Sequence, residues 1–267
     1  MMKVIYISVG GFIIKISFFP SESKDTQQWF ENYLPQYFAE FLIIRPQRRI
    51  DYYIDIKWDK KEEMIVREKE KKYYLNLFQK KGEKTLITNY QISISQLQIV
   101  LRYALHSLLM PNSGFFIHAS SVLIEGKAYL FVGRPGAGKS TAARLLQKKY
   151  TRLSDDIIII KKVDKKFMVY QTPILEKNKA SKKSKGAIPL GKIFLLKKAK
   201  TFTIEPLKNN MQTFEKMLKQ VFATRNEDIS TLAKTLTDLL AVQNIIQVLS
   251  FAKDEKKMLQ LFKASIK

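Results

Sequence analysis

The chain of 267 residues contains no cysteine. That absence removes disulfide frameworks, Cys-ligated zinc, iron–sulfur clusters and thiol catalysis together. Histidine is nearly missing as well. His106 and His118 are the two present, too few for a multi-histidine metal site, so any metal must be a hard, oxygen-bound cation such as Mg2+. Long apolar runs are also lacking: the most apolar stretch, residues 4–18, is interrupted by Lys15, split by Gly10-Gly11 and followed by no small-residue cleavage site. Alternation on either side of the glycine pair predicts a β-hairpin instead of a membrane span or signal segment. The expectation is a cytoplasmic protein with no membrane partner. Acidic residues are the last scarcity, 24 against 47 Lys+Arg, for a formal charge of +23.

What is present points to a folded chain. Apolar residues make up 46% and include 17 Phe, 12 Tyr and 2 Trp, ample for a core and unlike a disordered basic tail. The charge is clustered: residues 161–200 carry 13 basic and 2 acidic side chains, nearly half of the excess. A general lysine richness accounts for the diffuse remainder but not for that cluster. The segment carries no nucleic-acid motif and no aromatic residues interleaved among Lys177 to Lys192, which argues against a nucleic-acid partner.

Two regions follow from the patterning. Residues 1–112 read as a small α+β domain. After the hairpin, Trp29, Phe30, Tyr33, Leu34, Tyr37 and Phe38 recur at helical spacing within 25–41, with Pro35 as a break or kink. Residues 51–58, 63–67, 72–78 and 86–90 alternate like strands with one wet face, and 80–83 fit a turn. Ser95 is the expected N-cap of a helix over 96–110, whose apolar face leaves His106 exposed. Residues 113–267 form the second domain: strands at 115–117, 120–124 and 128–132, then a loop and a helix over 141–149. Toward the end, a polar loop at 225–228, helices at 230–242 and 254–266 and a strand at 245–251 are expected.

The loop carries the chemistry. Gly133-Arg134-Pro135-Gly136-Ala137-Gly138-Lys139-Ser140 matches G-x-x-x-x-G-K-[ST] between a strand and a helix that begins near Thr141. A chance match in a chain of this length is on the order of 1%. Glycines let backbone N–H groups turn inward toward phosphate oxygens, and the helix N-terminus adds its positive end. Lys139 would reach the terminal phosphates and Ser140 would contact Mg2+. Asp155-Asp156 follows at the start of the apolar run 157–160. Paired carboxylates there can divide the work of holding Mg2+ and accepting a proton from an attacking hydroxyl.

These residues carry a resemblance. Phe116-Ile117-His118-Ala119-Ser120, then the loop within 130–141, then Leu153-Ser154-Asp155-Asp156, resemble the catalytic domain of HPr kinase/phosphorylase and its relatives, as do Gln171-Thr172-Pro173 and 188–196. The resemblance implies an α/β fold in which a P-loop catalytic domain of the HPr kinase type follows the small α+β domain. It implies catalytic roles for Asp155, Asp156, His118 and Lys139, nucleotide contacts from 133–141, and magnesium on Ser140 and Asp155. The long glycine-rich and arginine-bearing passage that follows the Asp pair in the bifunctional enzymes is not found here, which argues against the phosphorylase reaction and HPr itself as substrate.

The shorter relatives that this chain resembles include kinases of peptides, lasso-peptide precursors among them, and of free serine. The expected function is therefore ATP- and Mg2+-dependent transfer of the γ-phosphate to a serine hydroxyl of a peptide or small protein, with the 161–200 cluster attracting an acidic acceptor. A P-loop ATPase or nucleotide switch without an acceptor, or a kinase of free serine, is the alternative. Relatives are often oligomers, which extends the expectation to a homo-oligomer.

Overall fold

In the computed structural model, residues 2–57, 67–69, 72–74, 76–174, 183–207, 211–222 and 229–265 are described. The expected strand end at Trp58, most of the expected strand 63–67, the three lysines within 177–182 and the polar loop 225–228 lie outside them. The chain divides into two compact units, Met1–Leu108 and Leu109–Lys267. The fold is a mixed α/β one.

The first unit holds β1 (Lys3–Val9), β2 (Phe12–Phe18), α1 (Lys24–Tyr37), β3 (Leu42–Ile43), β4 (Tyr52–Ile56), β5 (Arg67–Lys69), β6 (Lys72–Tyr74), β7 (Gln79–Lys80), β8 (Thr85–Thr88) and nearly all of α2 (Ile94–Leu109). Its main sheet runs in the order β3-β1-β2-β4-β8-β7. The β1–β2 hairpin closes with Val9 opposite Phe12. Gly10 and Gly11 have φ of 63° and 77°, the two left-handed positions that a tight hairpin turn requires. Phe30 and Leu34 of α1 are buried. Pro35 does not end that helix, which continues to Tyr37. The missing proline N–H leaves the Glu31 carbonyl without its helical donor, and Lys3 Nζ donates to it at 2.8 Å.

Two expectations for α2 are corrected. Its cap is Ser93, not Ser95: Ser93 Oγ accepts from the Gln96 amide at 3.2 Å, and the Ser93 amide donates to Gln96 Oε1 at 2.7 Å. This reciprocal pair satisfies two donors at the helix start, so the helix begins at Ile94. His106 is buried instead of exposed. The last turn of α2 is covered almost all round, with Ala104, Leu105, Leu108 and Leu109 buried around it, so an argument from a single apolar face fails there.

The second unit holds β9 (Gly114–His118), β10 (Ser120–Ile124), β11 (Lys127–Val132), α3 (Lys139–Leu146), β12 (Thr151–Ser154), β13 (Ile157–Val163), β14 (Lys166–Tyr170), β15 (Ile188–Lys198), β16 (Thr203–Pro206), α4 (Met211–Leu218), β17 (Val221–Phe222), α5 (Ile229–Leu240), β18 (Ile246–Phe251) and α6 (Glu255–Ser265). The long β15 joins two wings. Its first residues pair with β14, and its remainder lies parallel between β11 and β18. One wing continues from β11 to β10 and β12, the other from β14 through β13 and β9 to β17. Strands this deeply buried read as near-continuous apolar runs, as 157–160 and 193–196 do.

Two cores result. Phe115, Ile117, Leu130, Val132, Ile158, Ile160 and Ile193 pack with Met217 of α4 and Leu232, Leu236 and Leu239 of α5. On the other core, Phe131 and Phe194 stack at 5.8 Å, and Phe262 of α6 meets them edge-on. Ala142, Ala143 and Leu146 of α3 pack into the same cluster. Burying Leu146 contributes about 1.5–3 kcal/mol, and with Ala142 and Ala143 it holds α3 against this cluster, its N-terminus just beyond the end of β11.

Candidate functional site

The loop between β11 and α3 is shaped by its glycines. A Cβ on Gly133 would lie 2.9 Å from the Ala137 Cβ, so only glycine admits this closure. The Ala137 amide donates to the Arg134 carbonyl at 3.0 Å, forming a turn inside the loop. Gly138 stands at the N-cap of α3 with φ of 99°, and a Cβ there would sit 3.0 Å from the Phe251 ring at the end of β18. The loop therefore rests on the last residue of a neighbouring strand. Arg134, Pro135 and Gly136 are exposed, Ala137 and Thr141 are half-buried, and Ser140 is exposed in the first turn of α3.

Lys139 points back along this loop. Its side chain is buried, with Nζ donating to the Gly133 carbonyl at 2.9 Å. Burial pushes the ammonium below its usual range, and the carboxylates of Asp156 and Asp155 act against that shift. All three charged groups thus share one electrostatic neighbourhood.

The carboxylates stand where the two wings cross. The chain passes from β9 to β10 through Ala119 and from β12 to β13 through Asp155-Asp156. The two crossings lie side by side, with the Ala119 amide donating to the Asp156 carbonyl at 3.0 Å. His118 and Ser120 flank Ala119, and each reaches a different aspartate. His118 Nδ1 lies 2.7 Å from Asp156 Oδ1, with both side chains about one-third exposed, at 35% and 36%. Ser120 Oγ donates to Asp155 Oδ1 at 2.9 Å. Asp155 Oδ2 pairs with the Arg152 guanidinium, and both members are buried. The adjacent aspartates therefore occupy opposite environments, one held in a buried network and the other open beside a histidine. Sequence reasoning missed Ser120 and Arg152 as parts of this constellation; the spacing of three between Arg152 and Asp155 was the available signal for the latter.

A further layer braces the crossing. Gln171, buried just beyond β14, donates through Nε2 to the Leu153 carbonyl and accepts at Oε1 from the Ser184 amide. Thr172 Oγ1 donates to the Ile157 carbonyl at 3.2 Å. Lys183 Nζ donates to the carbonyls of Thr172 and Ile174 at 2.7 and 2.6 Å. The residues on either side of the Asp pair are thus tied to the strap that leads into β15. Phe222 of β17 meets the His118 ring edge-on at 6.1 Å.

Among the described residues, no group of three or more His, Asp or Glu side chains is placed to hold a metal alone. Two protein oxygens could share an Mg2+ ion with phosphates, as is typical of Mg2+ sites. Ser140 offers an exposed hydroxyl, and Asp155 a carboxylate already fixed by two partners.

Among the described residues, no helix is long and apolar enough to cross a membrane. Residues 84–248 match the family model of the SynChlorMet cassette protein ScmC. No curated protein matches the chain. Among solved structures, the Hpr(Ser) kinase/phosphatase from Coxiella burnetii aligns with 56% of this chain and 94% of its own at 12% identity, with a TM-score of 0.31.

Proposed function

We propose that this chain, which belongs to the ScmC family of SynChlorMet cassette proteins, binds ATP at the 133–141 loop and transfers the γ-phosphate to a serine hydroxyl of a peptide or small protein. The observation that carries the reading is the convergence of Lys139, at the mouth of the phosphate-loop motif, with an open carboxylate–histidine pair. An ATP-binding switch needs the first of these but has no use for the second.

In this reading the loop amides and the N-terminus of α3 cradle the polyphosphate. Lys139 exchanges its contact with the Gly133 carbonyl for phosphate oxygens. Ser140 and Asp155 would hold magnesium, which when bound neutralises charge on the phosphates. Asp156 stands where an acceptor can approach. Its carboxylate takes the serine proton as the Oγ–phosphorus bond forms, and the bond from the γ-phosphorus to the bridging oxygen breaks to release ADP. His118 holds the carboxylate at 2.7 Å, and fixing one rotamer of the base in advance is what a positioned catalyst requires. Asp155 also sets the geometry of the bend through its bonds to Ser120 and Arg152, which leave a second lone pair on each oxygen for the ion. The acceptor passes Phe222, beside His118.

The test is transfer from γ-labelled ATP to a panel of serine-containing peptides and to free serine. Label should appear on a peptide, and Asp156→Asn should reduce transfer at least 100-fold while leaving ATP binding within about threefold. Release of all label to water across the panel, unchanged in Asp156→Asn, would overturn the assignment in favour of an ATPase.

A further inference from the structure

One surface in the first unit has no part in this chemistry. Along α1, Asp25, Trp29, Tyr33 and Tyr37 recur every four residues and so form one ridge. The rings of Trp29 and Tyr33 stack at 4.8 Å with planes 7° apart, and Tyr33 and Tyr37 follow at 6.2 Å and 20°. Gln98 of α2 donates to the Tyr37 hydroxyl at 2.9 Å and fixes that end of the ridge. The ladder is ordered, yet it is not core: Trp29 is 49% and Tyr33 38% exposed, and Ile99, next to Gln98, is 41% exposed.

The local charge is the reverse of the chain's. Residues 22–40 carry Glu22, Asp25, Glu31 and Glu40 against Lys24 alone, within a protein of formal charge +23. Asp25 sits on the ridge itself and Glu22 just before it, both exposed. Lys24 lies about 140° around the helix from Trp29. Lys3, the other cation at α1, donates to the Glu31 carbonyl, about 160° around the helix from Trp29; charges beyond about 8 Å are largely screened at physiological ionic strength, so a ligand approaching Trp29 and Tyr33 meets the acidic aromatic ridge.

We propose that this α1 ridge is a docking surface for a lysine- or arginine-rich peptide segment of a partner. Stacked indole and phenol faces attract ammonium and guanidinium groups placed within about 6 Å, and the alkyl stems of those side chains cover apolar ring surface. Asp25 and Glu22 add charge pairing at one end of the ladder. An acidic partner would meet like charge there and find no cation on the ridge. The assignment is independent of the phosphoryl-transfer reading.

The experiment uses the full chain and labelled 14-residue peptides of equal length, one rich in Lys and Arg, one in Glu and one neutral, followed by fluorescence anisotropy at 0.15 M salt. The basic peptide should bind, with the acidic and neutral ones at least tenfold weaker. Trp29→Ala, Tyr33→Ala and Asp25→Lys should each weaken binding at least tenfold with the circular dichroism spectrum unchanged, and Met211→Ala, elsewhere on the surface, should leave it alone. Equal binding by the ridge variants, or no preference for the basic peptide, overturns the proposal. So does self-association that sedimentation shows to be lost in Trp29→Ala without any peptide binding, since the ridge would then cover a second copy of the chain.

Discussion

The unequal standing of the two aspartates yields the sharpest test. Arg152 and Asp155 form a buried pair, while Asp156 is 36% exposed. Removing one partner of a buried pair strands the other charge at about 3–5 kcal/mol. An exposed pair contributes at most about 1 kcal/mol. The second unit spans residues 109–267, a size at which 1 kcal/mol moves the unfolding midpoint by about 2–4 °C. Arg152→Met should therefore lower the midpoint of that unit by about 6–20 °C, and Asp156→Asn by no more than about 4 °C. In Arg152→Met/Asp155→Leu no charge is stranded, and most of the loss should return, short of about 1 kcal/mol for the Ser120 hydrogen bond. Differential scanning calorimetry at pH 7.5 on these three variants and on Asp155→Leu alone decides it. The reasoning fails if Arg152→Met and Asp156→Asn fall together, or if the double variant is as unstable as the sum of its parts.

The phosphate loop supports three more expectations. Lys139→Ala should abolish binding of a non-hydrolysable ATP analogue by calorimetry. In the wild type, affinity should decline as pH rises toward 10, because burial makes Lys139 lose its proton below its usual 10.5; in that window the unfolded chain holds more protons than the folded one, so stability rises while affinity falls, and a flat affinity profile would count against the assignment. Gly138→Ala combines a φ of +99° with a 3.0 Å approach to Phe251 and should cost about 1–3 kcal/mol and loosen nucleotide binding, whereas Gly136→Ala, with open space around it, should meet backbone strain alone. Gln171→Leu removes a donor to the Leu153 carbonyl and strands the Ser184 amide, the latter at about 1–3 kcal/mol, measurable by urea unfolding.

Much of the architecture was legible because its signals are local. Gly10-Gly11 between alternating runs specified the first hairpin, and the helix and strand patterns of residues 229–265 survive with ends shifted by one or two positions. The phosphate-loop motif sits between β11 and α3 as its spacing required. What was not legible depends on tertiary packing. Ser93 and Ser95 are equally good caps in isolation, and Gln96, three residues after Ser93, decides between them through a reciprocal contact. The burial of His106 depends on what surrounds the end of α2. The different surroundings of Asp155 and Asp156 could not be read from a dipeptide, because they arise at the β9–β10 crossing, where His118 contacts one carboxylate and Ser120 the other.

The basic cluster within residues 161–200 takes on two meanings once its members are placed. Lys162 pairs with Asp238 of α5 at 2.6 Å, Lys161 lies 5.3 Å from the Tyr170 ring centroid, and Lys183 clamps two carbonyls. These lysines brace the wing that carries Ile157 and the Asp pair, so their substitution would act on an acceptor through structure as well as charge. Lys197 and Lys198 differ. They are exposed at the carboxyl end of β15, beyond Leu195, which pairs with Val132, the residue before the phosphate loop. A ligand in a sheet of parallel strands gathers at their carboxyl ends, and there β11, β15 and β18 end in Val132, Lys198 and Phe251. Among the described residues, the sequence cluster thus contains lysines that brace β13 and the 172–174 segment and lysines exposed at the carboxyl end of the sheet, on the side where the 133–141 loop begins.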